Sequence, residues 1–98
     1  KEAELIKINS FAENTLNAVE EHFSEIDEII EANSQDWTLG RLPKVTLAIL
    51  RLAVAEIKYI DDVPNGVAVN EAVELAKKYG TNEDASFING ILGTIAKA

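Results

Sequence analysis

The chain has 98 residues, 47% of them hydrophobic and 27% charged, with no cysteine and a formal net charge of −8. That is enough for one modest core. It excludes disulfides and thiolate metal sites, leaves no run of ~18 apolar residues for a membrane helix, and argues against a nucleic-acid binder that works by bulk positive charge. The acidity is uneven: residues 1–36 set Lys1 and Lys7 against ten acids, whereas residues 37–98 carry seven basic and seven acidic residues. Between residues 37 and 60 the sign reverses, with Arg41, Lys44, Arg51 and Lys58 against Glu56 alone. No basic stretch followed by an apolar one opens the chain, so the expectation is a cytoplasmic protein without a secretory signal. Methionine is absent even from position 1, which leads us to expect a processed or partial form of something longer.

The first third reads as helix. Leu5, Ile8, Ala12, Leu16, Val19 and Phe23 recur at three- and four-residue steps, which predicts an inward stripe. Ser24 followed by Asp27 resembles a capping box and predicts a second helix from there, with Ile26, Ile29 and Ile30 inward and Asp27, Glu28 and Glu31 outward. The turn-rich "ANSQDW" of residues 32–37 ends it. A third helix is predicted from about Pro43, because proline suits a first helical turn. Its sequence "KVTLAILRLAVAEIKYI" is apolar over more than half its circumference, as a central helix would be. "DDVPNG" at 61–66 reads as a loop. A fourth helix follows with a stripe of Val69, Ala72, Val73, Ala76 and Tyr79, and Gly80 as its C′ residue. Thr81 with Asp84 is a further capping pattern, and a last helix is predicted over about 84–97, with Phe87, Ile88, Ile91, Leu92 and Ile95 apolar. Strand signals are poor. The expected fold is all-α, a compact bundle of about five helices, its acidity confined to the helical part over 1–36.

"FINGIL" at 87–92 contains Asn-Gly, a strong hairpin signal. It has no alternating strand on either side and lies in a helical run, so a helix is predicted through it. Glycine inside a helix costs ~1 kcal/mol relative to alanine. The expected offset is a close helix–helix approach at Gly90, with Asn89 bonding to a neighbouring backbone.

Sites of chemistry are sparse. His22 is the single histidine, and with Glu25 at i+3 it offers two metal ligands without a second cluster, which favours a solvated face. No glycine elbow accompanies a nucleophile and no glycine-rich phosphate loop appears, so neither an enzyme nor a cofactor is expected. Arg51, a lone charge in an apolar helix, must be paired or reach the rim. The alternatives are a salt bridge to an acid such as Glu71 or Glu74, or a phosphate or base contact with Arg41 and Lys44 nearby. Asn70 and Glu71 open the fourth helix, where Glu71 suits the dipole and Asn70 suits loop backbone groups. Phe87, in the first turn of the last helix, is either core or an aromatic platform for an unpaired base.

"AILRLAVAEIKY", "DVPNGVAVNEAVELAKKYG" and "FINGILGTIAKA", in that order and spacing, resemble the C-terminal part of the NusB family. That family's pattern is an I-L-R-L-A-x-x-E helix, a D-x-P loop, an I-N-E-A-V-E-L-A-K-x-x-G helix and F-V-N-G-x-L. The likeness covers about Trp37–Ala98, with "DWTLGRL" similar to the family's approach to that helix; residues 1–36 fit by pattern. The resemblance implies two small helical subdomains, with residues 1–36 as acidic helices continuing from a missing N-terminal subdomain and 37–98 as the C-terminal helical subdomain, and a transcription antitermination factor without catalysis. It implies binding to boxA RNA with the ribosomal protein NusE, in a complex on RNA polymerase. It also implies RNA contacts at Lys44, Arg51, Glu83 and Phe87, and a NusE surface on the third helix around Arg41 to Thr46. Family members begin with an arginine-rich helix that has no counterpart in this acidic chain, so weak RNA binding by these residues alone is expected, as is apolar surface that favours a homodimer. Two alternatives remain: a NusB-like domain ahead of a ribosomal RNA cytosine methyltransferase, which tends to end in N-A-x-L-R where this chain has Asn89 to Gly93, and a helical protein-interaction module without RNA.

Overall fold

A computed structural model describes residues 14–34, 42–60 and 63–97. Within them the chain is helical, with no strand: α1 (14–21), α2 (Phe23–Asn33), α3 (Lys44–Tyr59), α4 (Asn65–Tyr79) and α5 (Asn82–Lys97). Leu5, Ile8 and Ala12 of the expected first stripe, the start of the "DWTLGRL" stretch with Arg41, and Asp61 and Asp62 lie outside the described residues.

The junction of α1 and α2 departs from the expected capping box. The backbone ladder runs almost unbroken through His22, whose N–H bonds to the Ala18 carbonyl at 3.0 Å and whose carbonyl accepts from Ile26 at 2.9 Å. No side chain caps α2. Asp27 is drawn instead to a partner on α3, a competition that local spacing does not register. The stripe of α1 is also displaced. Leu16 is 54% exposed and Phe23 45%, while Thr15 is turned inward.

The two prolines act as expected of residues with a fixed φ and no N–H. Pro43 and Pro64 are both extended (ψ 144° and 141°), and their carbonyls accept the first helical bonds of α3 and α4. Helix α4 therefore begins at Asn65, inside the stretch read as loop.

Helix α5 opens on the expected capping box. The Thr81 N–H donates to Asp84 Oδ2 at 2.9 Å, and the Asp84 N–H donates to Thr81 Oγ1 at 3.1 Å. Gly80 ends α4 without entering the left-handed region (φ −129°). Its lack of a side chain serves a close approach: a Cβ would stand 2.7 Å from Asp84 Oδ2 and 3.0 Å from the Ala76 carbonyl oxygen.

Ile26 and Ile30 of α2, Leu50 and Val54 of α3, and Ile88, Leu92 and Ile95 of α5 make the fully enclosed centre. Burying each such side chain is worth about 1.5–3 kcal/mol. Helix α3 packs against α2, α4 and α5, the central role its apolar circumference predicts. Helix α4 buries only alanines, Ala68, Ala72 and Ala76 at four-residue steps. That choice turns Tyr79 outward, 61% exposed, against its expected place in the stripe. Gly90 likewise departs from expectation: among the described residues nothing beyond its chain neighbours and its own helix backbone lies within 4 Å of where its Cβ would stand, so no described helix approaches it, and Asn89 beside it is exposed. The buried face of α5 is formed by Ala85, Ile88, Ile91, Leu92 and Ile95, which leaves positions 89 and 90 on its outer side.

Candidate nucleic-acid interface

Arg51 stands in the middle of α3 on the side that meets α2. Its Nε donates to Asp27 Oδ1 at 2.8 Å and its Nη2 donates to Asp27 Oδ2 at 3.0 Å. The guanidinium carbon lies 4.4 Å from the centre of the Phe23 ring. The fork-on-carboxylate geometry and the stacked aromatic face are the two contacts arginine makes best. This corrects the expected partner: the acid comes from α2, and neither Glu71 nor Glu74 takes part. The two side chains are 26% and 19% exposed, so the guanidinium reaches the rim while held from behind.

Lys44 is the first residue of α3 and exposed. It sits seven positions before Arg51, on the same side of the helix. Thr46, expected in a partner-binding stretch, is instead 3% exposed, because the turn that presents Lys44 and Val45 outward points it at the core. Arg41 lies outside the described residues.

On α5, Glu83 is exposed in the first turn and Phe87 follows four residues on, on the same face. Phe87 is half-buried and packs against the core with one side while the other meets solvent. The Thr81–Asp84 box fixes this helix start, and with it the direction of Glu83 and Phe87.

The exposed Tyr79 precedes this loop, with the Lys78 ammonium 5.3 Å from its ring centre. Tyr79 falls three residues after Ala76, an interval that suits a buried stripe, which hides its exposure in the sequence. The all-alanine spacing of Ala68, Ala72 and Ala76 was the available signal.

Two further features have no clear trace in the sequence. His22 stacks on Tyr59, ring centres 3.8 Å apart and planes 4° from parallel. A carboxylate only accepts, so His22 Nδ1–H donates to Glu25 Oε2 at 3.0 Å, and Tyr59 Oη–H donates to the same oxygen at 2.9 Å. These two bonds, the tyrosine's first, hold the Glu25 carboxyl below its usual range. The pair read as possible metal ligands is thus engaged with itself and with α3. Glu56, one turn before the end of α3, is the other feature. Burial, and then the charge of Glu71 on α4, push its carboxyl up to about 7.

Among the described residues no group of three or more His, Cys, Asp and Glu side chains is arranged to hold a metal. No described helix is long and apolar enough to cross a membrane. What the described residues define is an all-α helical protein: helices closed on an aliphatic core, with Lys44, Glu83 and Phe87 carried near the starts of α3 and α5.

Comparison with known proteins sharpens that class. The chain belongs to the NusB family, whose family model matches residues 1–97. It is 49% identical over 86 residues to a transcription antitermination protein NusB of Agathobacter rectalis, covering 88% of this chain and 66% of that one. It is 50% identical over 90 residues to the protein of that name from Finegoldia magna, covering 92% and 65%. The structure of T. maritima NusB superposes with a TM-score of 0.87 at 40% identity, covering 93% of this chain and 64% of that one. The chain spans about two-thirds of the length of these relatives.

Proposed function

We propose that the chain acts in transcription antitermination, binding boxA RNA together with NusE within a complex on RNA polymerase. The observation that carries this reading is the match of residues 1–97 to the NusB family, with relatives near 50% identity that bear the name transcription antitermination protein. The geometry supports a division of labour. Lys44, exposed at the start of α3, meets phosphate. Arg51, held by Asp27 and Phe23, offers its remaining N–H donors at the rim. Glu83 accepts from base amino groups, and the open side of Phe87 stacks on an unpaired base. The protein partner meets the start of α3 beside the outward-facing Val45, through the stretch from Arg41 to Thr46, with the buried Thr46 supporting that turn from the inside.

With few cations and a net charge of −8, phosphate attraction alone is weak, so RNA binding depends on the protein partner. Fluorescence anisotropy with labelled boxA RNA, with and without purified NusE, tests this. The expected result is weak binding by the chain alone and a marked gain when NusE is added. Equal affinity for boxA and a scrambled RNA in the presence of NusE would overturn it.

A further inference from the structure

A groove of about 630 Å³ runs between α4 and α5, away from the residues assigned above to RNA, and its lining includes Asn70, Val73 and Lys77 of α4 and Asn89, Gly93 and Lys97 of α5. We propose that it is a docking site for an extended, acidic polypeptide segment of another protein.

The groove is polar where it need not be. Asn70 and Asn89 are both exposed, and their carboxamides make no hydrogen bond among the described residues. A carboxamide carries a donor and an acceptor side by side, the complement of one peptide group. Gly93 lies one turn after Asn89 on α5 and lines the same groove. Glycine is unfavourable inside a helix relative to alanine, and among the described residues nothing beyond its chain neighbours and its own helix backbone lies within 4 Å of where a Cβ would stand. No packing contact among the described residues requires a glycine there. The bare helix surface leaves room for the main chain of a ligand, and Val73 offers an apolar seat for a side chain.

Charge selects the occupant. In a chain of net charge −8, this groove is lined by two lysines and no carboxylate. Lys77 is tied only loosely, 3.8 Å from Glu74 on the exposed surface, and Lys97 has no partner among the described residues. A single-stranded nucleic acid fits less well, because no aromatic side chain lines the groove to stack a base. An extended peptide with acidic residues bracketing an aliphatic one satisfies the amides, the apolar seat and both ammonium groups together.

A phage-displayed library of random linear peptides, panned on the immobilised chain, tests the proposal. Enrichment of peptides that combine Asp or Glu with an aliphatic residue is expected. A synthetic peptide of that sequence should bind about tenfold more weakly to Asn89→Ala and to Gly93→Leu, a loss on the scale of one or two hydrogen bonds. Lys97→Glu, at the exposed end of α5, should weaken it similarly, and decides the matter should Gly93→Leu fail to fold by circular dichroism. Absence of enrichment, enrichment of sequences without acids, binding unchanged in Lys97→Glu, or displacement of the peptide by a mixed-sequence RNA oligonucleotide would each overturn it.

Discussion

Arg51 and Asp27 lie 24 positions apart in the chain and meet as a two-bond fork, Nε to Oδ1 at 2.8 Å and Nη2 to Oδ2 at 3.0 Å. With Phe23 stacked on the guanidinium, this contact ties the acidic α2 to the central α3. It is partly buried, so removing one partner strands the other. Asp27→Ala is expected to cost about 1–3 kcal/mol in urea denaturation. Arg51→Lys should recover little of an Arg51→Ala loss, because an ammonium supplies neither the fork nor the flat face. A double-mutant cycle with near-zero coupling would show the pair to be incidental.

Asp27→Asn also examines Arg51's place at the RNA. Neutralising Asp27 frees positive charge at the rim while leaving most of the shape. If Arg51 meets RNA, boxA affinity in the presence of NusE should rise modestly, with a steeper salt dependence. An affinity and salt slope identical to wild type would remove Arg51 from the interface.

Glu56 makes stability depend on pH. Its carboxyl is raised to about 7 from an ordinary 4.5 by burial and by Glu71. The folded state therefore favours the protonated form. The stability that this group contributes is full below about 4.5, falls as pH rises toward 7, and is gone above it. The side chain is substantially solvated, so the effect is discounted to about 1 kcal/mol. Glu56→Gln should raise Tm at pH 8 and change it little at pH 4. Thermal melts of both proteins across that range check the sign.

Two glycines should respond oppositely to alanine. At Gly80 a methyl group would press on Asp84 Oδ2, which is already engaged by the Thr81 N–H, and on the Ala76 carbonyl. Gly80→Ala should lose about 1 kcal/mol, similar to Thr81→Ala, which removes the other half of the capping box. Gly90 is helical with open space around it among the described residues, so Gly90→Ala should gain about 0.4–1 kcal/mol. Denaturation midpoints of the three variants decide, and a destabilised Gly90→Ala would mean that something packs there.

Phe87 divides its surface between core and solvent. Phe87→Ala should cost about 2 kcal/mol of stability, less than the 3–5 of a fully enclosed phenylalanine. It should also weaken boxA binding by about 1 kcal/mol if the open face stacks on a base. Melting and RNA titration on the one variant separate the two contributions.

Helix locations were legible in the residues themselves because they follow from short-range chemistry. Apolar spacing, the prolines ahead of α3 and α4, and the Thr81–Asp84 box act within a turn or two, and motif order was sufficient for the resemblance to the NusB family. Which side of a helix faces inward was less legible. Tyr79 and Leu16 sit at intervals that suit a buried stripe, but the bundle buries Ala68, Ala72 and Ala76 of α4 and Thr15 of α1 instead, because close packing selects small residues where helices touch. Long-range pairing was not legible at all. Nothing local to Arg51 selects Asp27 over Glu71, nothing near His22 announces Tyr59, and nothing at Gly90 tells a tight contact from open surface. Those choices depend on which helix lies beside which, settled by burial of the aliphatic side chains that α2, α3 and α5 share. The sequence alone determined an all-α chain of this family, and the packing decided which charges are spent inside the molecule and which remain for a partner.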